Sequence, residues 1–170
     1  HENGYAQGYI CRKGSECAPK CTTLITQAAE VVIEDDYPCF QRFGTPSYWH
    51  EDALGSGGHM WYTGVSGGAT DNYVVWRLEF ADEGSYEVFA FVPPKNASTQ
   101  KARYRVHHEG LDSYAIVDQK PLYSVFTSLG IYWFTAGTGQ YVQLDDATGE
   151  AQGTAKVAFD AIKVVPRPSC

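Results

Sequence analysis

At 170 residues, with 44% hydrophobic and 14% aromatic side chains, the chain is long enough for one sizeable core and too apolar for disorder. A formal net charge of −7 and the lack of any basic run exclude nucleic-acid binding through phosphate neutralisation and attachment to an anionic membrane surface. No apolar run is long enough to cross a bilayer, so no membrane insertion is expected.

Residues 1–24 are polar, rich in glycine, and hold Cys11, Cys17 and Cys21; Cys39 and Cys170 complete the five cysteines. Cysteines gathered at the two ends of a core otherwise free of them read as disulfide staples made in an oxidising, extracytoplasmic compartment. At least two bridges are expected, with Cys39 joined to Cys170 or to the tail, and no connectivity follows from spacing. The opening HENGYAQ carries no signal peptide and reads as a mature or trimmed start.

In TLITQAAEVVIEDD, VVI fits a short buried strand, while ITQAAE fits a strand or a helical turn equally well. Residues 38–72 alternate short aromatic runs with glycine-rich turns. The clearest element is NYVVWRLEF. Val74, Trp76, Leu78 and Phe80 share one face and Arg77 and Glu79 the other, the period of a half-buried strand. ADEG then reads as a turn and SYEVFAFV as its hairpin partner. KARYRVHHEG, SYAIVDQK, YSVFTSLGIYWFTA, GQYVQLDD and GTAKVAFDAIKVVP follow as further strands. Roughly nine or ten short strands without a long helix predict an all-β, antiparallel, jelly-roll-like β-sandwich over residues 25–170, preceded by a disulfide-rich extension over 1–24.

Several groups invite a chemical reading. His50, Glu51, Asp52 and His59 are close in sequence but match no zinc spacing such as HExxH, and read as loop or edge residues. A copper site at His1 has no identified partner. His107 and His108 are consecutive on a strand and face opposite ways, His107 to solvent and His108 inward as a hydrogen-bonded core residue. TGVSGG lacks the nucleophile-elbow arrangement. Paired carboxylates for glycoside hydrolysis are available among Glu51, Asp52, Asp112, Asp118, Asp145 and Asp146, yet nothing selects a pair, so no catalytic residue is assigned. Asp160 shares its phase with Ala158, Ile162 and Val164, which puts a carboxylate on an apolar face. It must then accept backbone N–H groups as a strut or ligate a structural calcium; no other cofactor is expected. Asn96-Ala97-Ser98 forms a glycosylation sequon in an exposed loop.

Taken in order, NYVVWRLEFADEGSYEVFAFVP, ARYRVHHEG, YAIVDQ, SLGIYWFTAG, YVQLDDATGE and VAFDAIKVVP resemble the β-sandwich domain of golvesin-like proteins and of xanthan lyase C-termini. Gly84, Tyr86, Val88, Tyr104, Val106, Gly110 and the Val117-Asp118-Gln119 element carry the first half of that likeness. Leu129, Gly130, Phe134, Gly137, Val142, Leu144, Asp160 and Ala161 carry the second. The resemblance runs over roughly residues 31–166 and implies a secreted, non-catalytic accessory module of the kind attached to bacterial enzymes and surface proteins.

Two roles stay open beside a less favoured glycan-active enzyme. One is a module that binds a polysaccharide or cell-surface glycan. Its candidate ligand-binding residues are Trp49, His50, Asp52, Trp61 and Tyr62, because aromatic faces and polar side chains together recognise sugars. The other is a structural or interaction module with a protein partner or self-assembly, favoured by the tyrosine-, glycine- and cysteine-bearing tail. Trp76 is expected in the core and Trp133 is a further core candidate.

Overall fold

The structure is a computed structural model describing residues 4–6, 9–11, 18–36 and 38–168, with side chains from residue 20 onward. Three short strands, β1 (Gly4–Ala6), β2 (Tyr9–Cys11) and β3 (Ala18–Pro19), form a small antiparallel sheet. The rest of the chain runs through β4 (Leu24–Ile25), β5 (Val31–Ile33), β6 (Phe40–Gly44), β7 (His50–Asp52), β8 (Met60–Gly64), β9 (Asn72–Phe80) and β10 (Gly84–Val92). It continues through β11 (Ala102–His108), β12 (Leu111–Val117), β13 (Val125–Phe134), β14 (Gly137–Asp145), β15 (Lys156–Phe159) and β16 (Ile162–Pro166). The helical segments among the described residues are single 3-10 turns at Pro46–Tyr48 and Ser56–Gly58. None is long and apolar enough to cross a membrane.

Two larger sheets enclose one core. One has the order β13-β10-β16-β5; the other has β12-β11-β14-β9-β4, with β6 also paired to β9. A third sheet, β15-β8-β7, caps the assembly. The named strand pairs are antiparallel apart from β4 beside β9, which is parallel, so the sandwich is of mixed type. On β9 the expected inner face holds, with Val74, Trp76, Leu78 and Phe80 buried; on the other face Arg77 is exposed, Glu79 half-buried and Val75 buried. β10 repeats it with Tyr86, Val88, Ala90 and Val92 inside. The facing strands supply Tyr104 and Val106 from β11 and Val142 and Leu144 from β14. Phe80 of one sheet stacks on Phe134 of the other, with ring centroids 4.4 Å apart, and Tyr86 packs on both.

The β9–β10 hairpin does not form. β9 pairs with β14 on one edge and with β6 and β4 on the other, while β10 lies between β13 and β16. With every edge taken, ADEG carries the chain across from one sheet to the other. Tyr86 Oη donates to Asp82 O at 2.7 Å and Ala81 N to Ile25 O at 2.8 Å, which closes this arch. The last expected strand also divides. β15 joins the capping sheet and β16 the core sheet, with Asp160 and Ala161 at the break. Trp76 Nε1 donates to Asp160 O at 2.9 Å and Phe91 N to Ala161 O at 2.9 Å, so the carbonyls freed by the break are satisfied. Trp133 faces outward, 43% exposed, because its neighbours Tyr132 and Phe134 take the inner positions.

Cys21 and Cys39 form a disulfide buried in the core, tying the start of the chain to the residue before β6. Cys17, Cys170 and the Cys11 side chain lie outside the described residues. Gln119, from the Val117-Asp118-Gln119 element, is fully buried and exchanges bonds with the Ala158 N–H and carbonyl and with Tyr104 Oη.

Three stability outcomes follow. Trp76→Ala is expected to lose about 3–5 kcal/mol in urea unfolding, because a large cavity and an orphaned carbonyl remain. Replacing Cys21 and Cys39 together by Ala is expected to cost about 3 kcal/mol by the same measurement, from the freed loop of the unfolded chain. Gln119→Leu, close in volume, is expected to cost about 1–3 kcal/mol by stranding Ala158 and Tyr104, with the near-ultraviolet circular dichroism otherwise retained.

Candidate functional site

The stretch GTPSYWHEDALGSGGHMWYT, residues 44–63, folds as the β7–β8 hairpin. Register places His50 opposite Tyr62, Glu51 opposite Trp61 and Asp52 opposite Met60. Side chains alternate along a strand, so His50, Asp52 and Tyr62 belong to one face and Glu51 and Trp61 to the other. The five candidate residues are therefore divided between two surfaces.

On the first surface His50 stacks on Tyr62, ring centroids 5.2 Å apart, and Lys156 Nζ lies 5.1 Å from the Tyr62 ring. Asn96 links them: its Nδ2 donates to Asp52 Oδ2 at 3.1 Å and its Oδ1 accepts from Lys156 Nζ at 3.1 Å. The sequon asparagine is thus part of this network. On the second surface Trp61 is half-buried, with the Arg42 guanidinium 3.5 Å from its ring centre and His59 and Trp49 against its edges. Trp49 also packs edge-on against Phe159 of the core and so supports the wall from behind.

Trp61, Arg42, Phe43, Asp36 and His59 line a cleft of about 770 Å³ that also reaches Glu34 and Asp35. His59 bridges two carboxylates, Nδ1 to Asp35 Oδ2 at 2.6 Å and Nε2 to Glu51 Oε2 at 2.8 Å. Burial alone lowers the His59 pKa, but the hydrogen bonds and charges of Glu51 and Asp35 outweigh it and raise the value. Burial raises Asp35, against the pull of His59.

At the inner end, Asp160 Oδ2 accepts the Ser56 N–H at 3.0 Å. Burial, with the charges of Asp35 and Glu34 added, pushes the Asp160 carboxyl up to about 8. Gly55 precedes the turn at φ +108°, and a Cβ there would overlap Asp160 Oδ2, so only glycine brings the backbone this close. Glu34, Asp35 and Asp160 each present an oxygen within 4.8 Å of the others, a set able to hold a metal ion. Asp160 was legible as a carboxylate on an apolar face. Glu34, Asp35 and Arg42 were not singled out, although an acidic triplet directly after VVI was the signal available.

The other candidates have local roles. His107 stacks on Tyr141 and meets Asp112 at 2.7 Å, while His108 is buried against Trp133 O and Ser113 Oγ, as the strand register predicts. Asp146 accepts the N–H groups of Asp71 and Asn72, Asp118 that of Lys120, and Asp145 a bond from Gln143. Ser66 of TGVSGG is buried and donates to Ala69 O, which closes a turn.

Solved structures share this architecture. A Paenibacillus xanthan lyase superposes with a TM-score of 0.69 at 22% identity, over 82% of this chain and 13% of that one. This chain thus spans a small fraction of that enzyme. A family 35 carbohydrate binding module from Clostridium thermocellum gives 0.52 at 17% identity, over 79% of this chain and 98% of the module. The insecticidal crystal protein Cry2Aa gives 0.56 at 11% identity, over 94% of this chain and 24% of that one. At these identities the likeness is one of fold. No curated protein matches the sequence. The model of the golvesin C-terminal domain matches residues 34–166, which takes in every strand from β6 to β16 together with the cleft, and the chain belongs to that family.

Proposed function

We propose that the chain is a secreted, non-catalytic, jelly-roll-type module that binds an extracellular glycan, with the sandwich from about residue 25 as the binding unit and residues 1–24 as an extension. The observation that carries this reading is the cleft beside Trp61. Its volume lies in the range of small-ligand sites, about 300–1,000 Å³, and its wall sets the half-buried Trp61 indole among Arg42, Asp36 and His59. Rings meet the C–H faces of a sugar, while carboxylates accept from its hydroxyls and the guanidinium donates to them. With Asp36 beside Arg42 and His59 already bridging Asp35 and Glu51, the described residues of the wall offer no unpaired cluster of cations, which favours a neutral, hydroxyl-rich ligand over a polyanion. Trp49 supports the wall. His50, Asp52 and Tyr62 form a second, separate surface on the opposite face of the hairpin. The likeness to a carbohydrate binding module of similar size supports the reading at the level of fold.

A structural or protein-interaction role is favoured by a different observation. The edge strands β12 and β13 leave Leu111, Tyr114, Ile116, Ile131 and Trp133 exposed.

A screen of neutral and acidic polysaccharides separates the two. Wild type is expected to be retained on a neutral glycan, Arg42→Ala and Trp61→Ala to weaken retention at least about tenfold, and His50→Ala to weaken it less. Near-ultraviolet circular dichroism checks the fold of each variant. Absence of retention at millimolar glycan, or retention indifferent to Arg42→Ala, refutes the cleft as a glycan site and leaves the interaction role.

A further inference from the structure

Asp160 is 2% exposed and stands where β15 and β16 part. Its Oδ2 is occupied by the Ser56 N–H, but its Oδ1 is sealed from solvent without a partner. Glu34 repeats the pattern: Oε1 accepts from Ser56 Oγ at 2.9 Å, and Oε2 is sealed and unpartnered. Asp35, 8% exposed, turns Oδ2 to His59. A buried carboxylate oxygen without hydrogen-bond donor or counter-charge is costly, and here two such oxygens, of Glu34 and Asp160, belong to a trio of carboxylates that converge within 4.8 Å. A cation among them removes both penalties.

We propose that Glu34, Asp35 and Asp160 form a calcium-binding site that clasps the end of β5, the Ser56 turn and the β15–β16 break. The donors are all carboxylate oxygens, which selects a hard cation over zinc or copper. The nearby imidazole, His59, has its Nδ1 engaged by Asp35, so it orients a ligand rather than serving as one. Calcium accepts six to eight oxygens in irregular geometry and completes its shell with water, whereas magnesium demands a near-ideal octahedron. Residues about 125 positions apart in sequence would then share one ion, bridging the capping sheet and the core sheet. This site does not depend on the glycan reading, because a module that binds no sugar would still hold the ion.

Chelator-treated full chain titrated with calcium chloride, followed by calorimetry and thermal unfolding, tests it. One ion per chain is expected, with affinity in the range of extracellular calcium modules, about 0.1–1 mM, or tighter. The unfolding midpoint should rise about 5–11 °C at roughly hundredfold excess over Kd, with a much smaller rise in magnesium. Asp160→Asn should abolish the response. Glu34→Gln, at a half-buried position where the amide oxygen keeps an acceptor for Ser56 Oγ, should weaken it at least about tenfold and so decides the matter if Asp160→Asn fails to fold. No binding heat and no midpoint shift at about 10 mM calcium would overturn the site. So would a magnesium response equal to that of calcium, or a Glu34→Gln chain that responds as wild type.

Discussion

The fold turns on the passage of the chain through Asp160 and Ala161. Here a strand of the capping sheet becomes a strand of the core sheet, and two backbone carbonyls lose their ladder partners. Trp76 supplies one replacement donor from β9 of the opposite sheet, and β10 supplies the other through Phe91. The largest core side chain is therefore also a hydrogen-bond donor, and its two roles share one position. Because Trp76 is fixed by this bond, the β15-β8-β7 cap is fixed too, and with it the wall formed by Trp61, His59 and Trp49. The cleft inherits its shape from a strand break on its inner side.

What was legible in the sequence follows from what period-2 alternation can encode. It reports which side chains of β9 and β11 face inward, and there Trp76, Leu78 and His108 stand as read. It says nothing about partners, so two strands joined by ADEG were read as a hairpin when their edges belong to other strands. The same blindness applies to the aromatic stretch at residues 44–63. Composition shows that tryptophan, histidine and carboxylates are concentrated there. Only register shows that the hairpin sends His50 and Tyr62 one way and Glu51 and Trp61 the other. The density of polar and aromatic groups is that of two surfaces back to back.

Arg42 and the Glu34-Asp35 pair were hidden for another reason. They lie on or beside short strands that precede the hairpin in the chain, and nothing in the sequence shows that β5 and β6 belong to sheets that bring them to one cleft with it. Asp160 differs because a lone carboxylate in an apolar phase is anomalous in any fold, which makes it visible without a partner. Gln119 lies within the Val117-Asp118-Gln119 element, where its polar side chain gives no sign of burial. Its role depends on meeting the β15 backbone, 39 residues downstream.

The Cys21–Cys39 bond carries a mechanical consequence. Tension applied to the chain before Cys21 passes through the sulfurs directly to Cys39 and β6, so the intervening segment with β4 and β5 bears no load. The strand pair that resists such a pull is then β6 against β9, at the edge of the larger sheet. Reduction reroutes the force through the 18-residue separation, which pays out as much as ~60 Å of chain before β6 feels the pull. In its oxidised form the module is a short, stiff link.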